Sequence, residues 1–127
     1  MLGERQMSGG TTVKMVLAII QPTKFDAVKS ALDKIGIESM TVCDARGYAR
    51  QRGQSPTYRG HEYKANLLRK VAVEIVVHDD RVESAMDTIL AVARTGPNGT
   101  IGDGKVFLLP VEDVVRLSDE VRGQEAV

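Results

Sequence analysis

The feature that most restricts the fold is a pair of strand-length apolar runs, each followed by a helical pattern. Val13–Ile20 (VKMVLAII) is rich in β-branched residues, and residues 71–77 place Val or Ile at every second position. Each run leads into apolar residues spaced three or four apart, which form one helix face: Phe25, Val28, Leu32 and Ile35, then Val82, Met86, Ile89 and Ala93. The sequence therefore predicts two strand–helix units.

The helix ends carry their own signals. Thr23, with Asp26 three residues later, predicts an N-cap for the first helix, and Gly36 predicts a left-handed stop. Asp79 and Asp80 place negative charge where the second helix begins. These signals mark both ends of the first helix and the beginning of the second.

Two weaker strands complete the pattern, over residues 37–43 and over residues 106–109 before Pro110. The order is then βαββαβ, the order of an α+β ferredoxin-like fold with helices on one face of an antiparallel sheet. We predict a disordered lead over residues 1–12, one domain over residues 13–117 and a C-terminal tail over residues 118–127. This fold supports many unrelated functions, so function must be read from the loops.

Composition excludes several classes of protein. The 17 basic residues equal the 17 acidic residues, which predicts no general attraction to nucleic acid. The apolar runs are too short to cross a bilayer, and Cys43 as a single cysteine makes no internal disulfide. We expect Cys43 to be a small buried residue. A core with no Trp and only two Phe favours an oligomer. Together with the single cysteine and the short apolar runs, this predicts a cytoplasmic oligomer without membrane insertion.

A loop over residues 44–69 is far longer than a hairpin needs, and long loops in compact domains are usually functional or disordered. It carries basic and tyrosine side chains: Arg46, Arg50, Arg52, Arg59, Lys64, Arg69, Tyr48, Tyr58 and Tyr63. This composition favours an element that docks a partner over a solvated surface excursion.

A second loop, residues 96–105 (GPNGTIGDGK), contains four glycines. It matches the start of a Walker A pattern, but Val106 stands where Ser or Thr would hold magnesium, and a strand follows instead of a helix. We therefore reject an NTPase. Glycines that expose backbone N–H groups, beside the charge of Lys105, predict a phosphate-binding nest; the alternative is a plain glycine-rich turn.

Three segments together resemble the PII nitrogen-regulatory proteins. Residues 46–63 (RGYARQRGQSPTYRGHEY) are similar to the T-loop of that family, residues 95–107 (TGPNGTIGDGKVF) to its B-loop, and residues 18–28 (AIIQPTKFDAV) to its first strand and helix. The resemblance implies a homotrimer that signals and is not an enzyme. It would bind ATP or ADP in clefts between subunits and 2-oxoglutarate with Mg²⁺, and regulate an ammonium channel or nitrogen-metabolism enzymes through the T-loop.

The resemblance also implies roles for particular residues. The phosphates would be bound by Gly102, Asp103, Gly104, Lys105, Arg50 and Arg116, and the adenine would lie among Ile19, Thr41, Glu74 and Val76. Gly47 would also be a nucleotide-binding residue, and Gly47 and Gly53 would allow tight turns in the T-loop. Gln51 would help hold Mg²⁺ when ATP and 2-oxoglutarate are both bound, and Lys70 would pair with a carboxylate of the keto acid. Tyr63 matches a tyrosine that some relatives nucleotidylate, and it is equally well explained as an unmodified loop residue.

Several positions depart from the family pattern. The B-loop is longer than usual, with residues 97–100 where relatives commonly have one lysine, and Ser118 replaces an arginine that supports the nucleotide. Gln21 stands in place of a lysine and Ala49 in place of a loop glycine. These changes predict weaker ATP binding, with ADP and AMP as good competitors. We expect the acidic residues of the segment 118–120 to point away from the phosphates.

Three alternatives remain open at this point. The first is a PII-like sensor that responds to adenine nucleotides without 2-oxoglutarate and controls another transporter or carbon metabolism. The second is a small phosphate hydrolase, for which Asp103 is the one candidate base in the glycine loop. The third is a metal-binding module using Cys43, His61 and His78, which lack a ligand-like spacing.

Overall fold

A computed structural model describes residues 12–49 and 66–127. In these ranges the chain forms strand β1 (Val13–Ile20), helix α1 (Phe25–Lys34), strands β2 (Thr41–Ala49) and β3 (Asn66–His78), helix α2 (Val82–Ala93) and strand β4 (Gly104–Pro110). One-turn 3₁₀ segments precede both helices (Pro22–Lys24 and Asp79–Arg81), and another lies at Gly123–Ala126. All strand pairs are antiparallel, in the order β2-β3-β1-β4. The predicted α+β ferredoxin-like fold is confirmed.

The core lies between the helices and one face of the sheet. Alternate residues of the two central strands point to this face and are buried: Val16, Ala18 and Ile20 of β1, and Val71, Val73, Ile75 and Val77 of β3. The helices contribute Val28 and Leu32 of α1 and Ala85, Ile89 and Ala93 of α2. This matches the predicted stripes, except that Phe25, Ile35 and Met86 are only half-buried and pack against the edge of the core.

In the part of the chain that the structure describes, no helix covers the opposite face of the sheet, and we call this face the open face. Directly paired residues of antiparallel strands point to the same side, so the register gives the rows of this face. The rows are Val76–Met15–Leu109, Thr41–Glu74–Leu17–Phe107 and Cys43–Ala72–Ile19–Lys105, followed by Ala45–Lys70. The open face therefore carries many of the predicted ligand residues.

The predicted helix starts were wrong in detail. Thr23 lies inside the Pro22–Lys24 turn, the helix begins at Phe25, and no side chain caps either helix N-terminus. Pro22, with its fixed φ and missing N–H, is suited to begin the turn that occupies the predicted cap position. The predicted stop at Gly36 is correct, since its φ of +90° is one that glycine adopts without strain.

Two further expectations differ from the structure. Strand β2 begins at Thr41, four residues later than predicted, and β2 and β3 continue past the predicted loop boundaries, to Ala49 and from Asn66. Cys43 is exposed in the chain, not buried, because β2 is an edge strand and Cys43 points to the open face.

Candidate functional site

The glycine-rich loop between α2 and β4 is organised around Asp103. Its carboxylate accepts hydrogen bonds from the backbone N–H of Thr95 (3.0 Å), the Thr95 hydroxyl (2.7 Å) and the backbone N–H of Thr100 (2.8 Å). These bonds, with a smaller contribution from the charge of Lys24, lower the pKa of Asp103 to about 2. Asp103 thus holds the loop in a closed turn, and a carboxylate so occupied is a poor general base.

The lowered pKa of Asp103 predicts acid sensitivity of this loop. The loop contacts should be fully present above the unfolded-state pKa near 4 and should be lost as the pH falls toward about 2. NMR titration of the Thr95 and Thr100 amides will follow the loss. In Asp103→Asn the two amides should show no titration in this window; an unchanged titration there would contradict the assignment to Asp103.

Gly104 begins β4 at a position where a side chain does not fit. Its φ is +115°, and a Cβ atom would lie 1.8 Å from the backbone oxygen of Ile19. The backbones of β1 and β4 approach this closely because Gly104 pairs with Ile20, and Lys105 pairs with Ile19. Gly104 thus allows the backbone to pair with β1 immediately after the loop, and this register places Lys105 on the open face.

The carbonyl of Gly102 connects the loop to two distant parts of the chain. The Lys70 ammonium on β3 donates to this oxygen (2.6 Å), and the Gln21 amide after β1 donates to it (3.3 Å) and to Asp103 Oδ1 (3.3 Å). The Lys70 stem passes over Gly47, where a Cβ would lie 3.6 Å from Lys70 Cγ. The structure therefore brings together Gly47, Lys70 and Gly102, three residues predicted for the site.

A cavity of about 460 Å³ opens between the end of α2 and the glycine-rich loop. Asp103, Gly104 and Lys105 line it together with Asn98, Gly99, Thr100 and Ile101 of the lengthened loop and with Ile20, Ile89, Leu90, Ala93, Arg94 and Val106. Arg94 was missed by sequence reasoning, although its place one residue after α2 was a usable signal. Its guanidinium adds positive charge beside the glycine-rich loop.

The residues predicted around the adenine do not all lie near this loop. Thr41 pairs with Glu74, and Val76 follows on the same face, whereas Ile19 lies in the row of Lys105. Val76 and Lys70 are six residues apart on β3, which corresponds to roughly 20 Å along the strand. Within one chain the predicted site is thus divided between the two ends of the open face.

Arg116 belongs to the end of the molecule far from the glycine loop. The tail returns to this end, where the Thr12 hydroxyl donates to the Gln124 side chain and Val127 lines a cavity with Val76 and His78. The Arg116 guanidinium donates to both carboxylate oxygens of Asp119, through Nε (3.0 Å) and Nη2 (2.8 Å). Asp119, one of the acidic residues expected to point away from the phosphates, thus binds the arginine predicted to contact them.

Comparison with known proteins assigns the family. The family model described as "Nitrogen regulatory protein P-II" matches residues 13–121, which include the whole sheet, both helices and the glycine loop. The chain belongs to the PII family. PII proteins are signal-transduction regulators of nitrogen metabolism and are not enzymes, so the hydrolase alternative is set aside.

Relatives of this PII protein match over nearly its full length. The nitrogen regulatory protein P-II of Microchaete diplosiphon is 51% identical over 115 residues, covering 91% of this chain and all of the relative. That of Azospirillum brasilense is 45% identical with the same coverage. A solved structure, Arabidopsis thaliana PII bound to citrate, is 42% identical with a TM-score of 0.73 and covers 92% of this chain and 94% of its own.

Some predicted residues lie outside the described part of this PII protein. These are Arg50, Gln51, Gly53 and Tyr63, together with His61 of the metal-module alternative. Over residues 12–49 and 66–127, no group of three or more His, Cys, Asp or Glu side chains is placed to hold a metal ion. In the same ranges, neither helix has the length and apolar character needed to cross a membrane.

Proposed function

We propose that this PII protein is a cytoplasmic homotrimer that binds ATP or ADP in the clefts between its subunits. With ATP and Mg²⁺ in place, each cleft also takes 2-oxoglutarate, and the ligand state is transmitted through the T-loop to an ammonium channel or a nitrogen-metabolism enzyme. The observation that carries the proposal is the division of the ligand residues between the two ends of the open face.

Neither end of the open face carries all of the residues proposed for the nucleotide site. One end supplies the glycine loop with Lys105, and the other supplies Val76 with the tail that carries Arg116. Thr41 and Glu74 lie between these ends, in the row next to that of Lys105. A head-to-tail interface brings one end of a subunit against the opposite end of its neighbour, and a closed ring repeats this at every interface. Three such interfaces would make three equal nucleotide sites.

The open face supports an assembly of this kind. Phe107 and Leu109 are 45% and 37% exposed in the isolated chain, and half-buried Met15 and Leu17 lie beside them. Contiguous apolar surface of this sort usually marks an interface between proteins. Copies of the chain that pack through this face would remove it from water and complete a core poor in aromatic residues.

The glycine loop has the chemistry of a phosphate site. Asp103 fixes its turn, Gly104 allows a close backbone approach, and Lys105 and Arg94 add positive charge around the adjoining cavity. Such an arrangement favours a polyanion through backbone N–H groups and nearby cations. Arg50 would contribute a further charge from the T-loop.

Lys70 is the residue proposed for a carboxylate of 2-oxoglutarate. Its ammonium already lies at the junction of β3 and the glycine loop, bonded to the Gly102 carbonyl. The Arabidopsis relative was solved bound to citrate, another small polycarboxylate, which supports a carboxylate ligand here. We propose that Gln51, with oxygens of ATP and the keto acid, holds the Mg²⁺, since Mg²⁺ is commonly held by substrate phosphates with few protein ligands.

One observation favours a second candidate, a sensor of adenine nucleotides without 2-oxoglutarate that controls another transporter or carbon metabolism. Lys70 is bonded to the Gly102 carbonyl, so the cation proposed for the keto acid is occupied by a group of the protein itself. A keto acid would have to compete with this internal acceptor. In either case Tyr63 is a candidate for nucleotidylation on the T-loop.

Calorimetric titration of the full chain with ATP and Mg²⁺, with and without 2-oxoglutarate, tests the proposal. The expected result is ATP binding that 2-oxoglutarate tightens several-fold, no such effect with ADP, and a trimer mass by light scattering. ATP binding without coupling would select the nucleotide-only sensor. Absence of nucleotide binding, or a monomer at working concentration, would refute the proposed site between subunits.

A further inference from the structure

The C-terminal tail holds a carboxylate against the predicted phosphate-binding arginine. Asp119 meets Arg116 through two parallel hydrogen bonds, Nε to Oδ1 (3.0 Å) and Nη2 to Oδ2 (2.8 Å). The remaining terminal nitrogen, Nη1, donates to the backbone oxygen of Glu125 (3.5 Å). The fork that an arginine presents to a carboxylate or a phosphate is therefore already in use.

The backbone of the tail fixes this pairing. The Glu120 N–H donates to the Arg116 carbonyl (2.7 Å), and the Arg116 N–H donates to the Val121 carbonyl (2.9 Å), which closes a tight turn. Glu120 has a φ of +63°, a left-handed conformation uncommon for a residue other than glycine. Asp119 also accepts the Val121 N–H (3.2 Å). Its position is thus set by the turn and by the arginine together.

We propose that Asp119 is an affinity-determining residue that competes with the nucleotide phosphates for Arg116. This inference rests on the proposed role of Arg116 at the phosphates. A carboxylate and a phosphate offer the guanidinium the same two-pronged acceptor, so a phosphate must displace Asp119 or share Arg116 with it. The negative charge of Asp119 also opposes an incoming polyanion at the same point.

The consequence is a nucleotide site weakened by the protein's own tail. Both side chains are about half exposed (45% for Arg116 and 47% for Asp119), so water and salt screen the pair and its effect on affinity is moderate. A phosphate can displace Asp119 from Arg116 at low cost, because the displaced carboxylate is left in contact with water and not as a buried unpaired charge. Asp119 lowers the affinity only for those nucleotides whose phosphates reach Arg116.

The test is Asp119→Asn, which removes the charge but keeps an oxygen that accepts the Val121 N–H. ATP binding with Mg²⁺, measured by calorimetry on the full chain, should tighten about fivefold. The matched control is Asp113→Asn. Asp113 pairs with Arg122 in the same tail, so this variant removes an equal charge from a neighbouring pair. It should change the affinity less than about twofold.

A double-mutant cycle separates competition from a general charge effect. In an Arg116→Ala background, the gain from Asp119→Asn should disappear. Three results would each overturn the inference. ATP binding could still tighten in the Arg116→Ala background, or it could tighten equally in Asp119→Asn and Asp113→Asn. It could also fail to tighten in Asp119→Asn although the wild type binds ATP. A wild type that binds no nucleotide would instead refute the proposed function.

The pairing itself has a readout that needs no nucleotide. In the ligand-free protein, the Arg116 Nε–H resonance should shift in Asp119→Asn and stay in place in Asp113→Asn. No shift in Asp119→Asn would show that the pair does not form in solution and would overturn the inference at its first step.

Discussion

Gly104→Ala is expected to destabilise the protein by roughly 3–5 kcal/mol, or to prevent folding. The new methyl carbon would lie 1.8 Å from the Ile19 carbonyl oxygen and 2.9 Å from the carbonyl carbon, and Cβ atoms essentially never come within 3.0 Å of such neighbours. The backbones of β1 and β4 would have to separate, which breaks the pairing of Gly104 with Ile20 and of Lys105 with Ile19. The φ of +115° adds backbone strain for alanine.

Gly96→Ala is the matched control for Gly104→Ala. Gly96 lies in the same loop with a φ of +70°, but no atom lies within 4 Å of the position that a Cβ would take. Its substitution should cost only the left-handed backbone strain, about 1–2 kcal/mol. Urea denaturation at one fixed protein concentration gives both values, since the stability of an oligomer depends on concentration. Equal losses for the two variants would show that the close approach of β1 and β4 is not what requires glycine.

Patterns local in sequence predicted the fold well. Val13–Ile20 forms β1 with the predicted bounds, because an apolar run of strand length with β-branched side chains is enough to predict a strand. The helix faces through Leu32 and Ile89 were equally readable, because their spacing depends only on the helix repeat. Thr23 misled, since a proline one residue earlier moved the helix start beyond the cap position. The exposure of Cys43 depends on strand order, which local patterns do not specify.

The site was predictable as a set of residues but not as an arrangement. Glycines and a lysine indicate a phosphate-binding loop wherever it lies, and the structure adds that Asp103 holds the turn of this loop. By contrast, the contact between Lys70 and Gly102 joins residues 32 positions apart through the packing of β3 against the loop. The pairing of Arg116 with Asp119 depends on the turn at Glu120, whose left-handed backbone was not indicated by a glycine or another typical turn residue. The partners of these charged side chains therefore could not be predicted from the sequence, because they depend on how the backbone is arranged in three dimensions.

The second large effect is expected for Lys70→Ala, which should abolish the influence of 2-oxoglutarate on ATP binding. A charge-assisted hydrogen bond from the ammonium to a carboxylate contributes about 1.5–3 kcal/mol, so keto-acid affinity in the presence of ATP and Mg²⁺ should fall roughly tenfold to a hundredfold. Linkage requires that each ligand change the affinity of the other by one common factor, so a variant in which ATP no longer promotes keto-acid binding must also show no effect of the keto acid on ATP. Calorimetry of each ligand in the presence of the other measures both sides of this relation.

Gln21→Ala distinguishes a ligand contact from a loop contact in this experiment. Gln21 and Lys70 donate to the same Gly102 carbonyl, so each substitution removes one anchor of the glycine loop. Only Lys70 carries a charge that a carboxylate can use, and Gln21→Ala should therefore alter ATP affinity modestly while the keto acid still tightens it. If both variants lose the coupling equally, Lys70 acts by positioning the loop. If Lys70→Ala keeps the coupling of the wild type, the carboxylate is bound elsewhere.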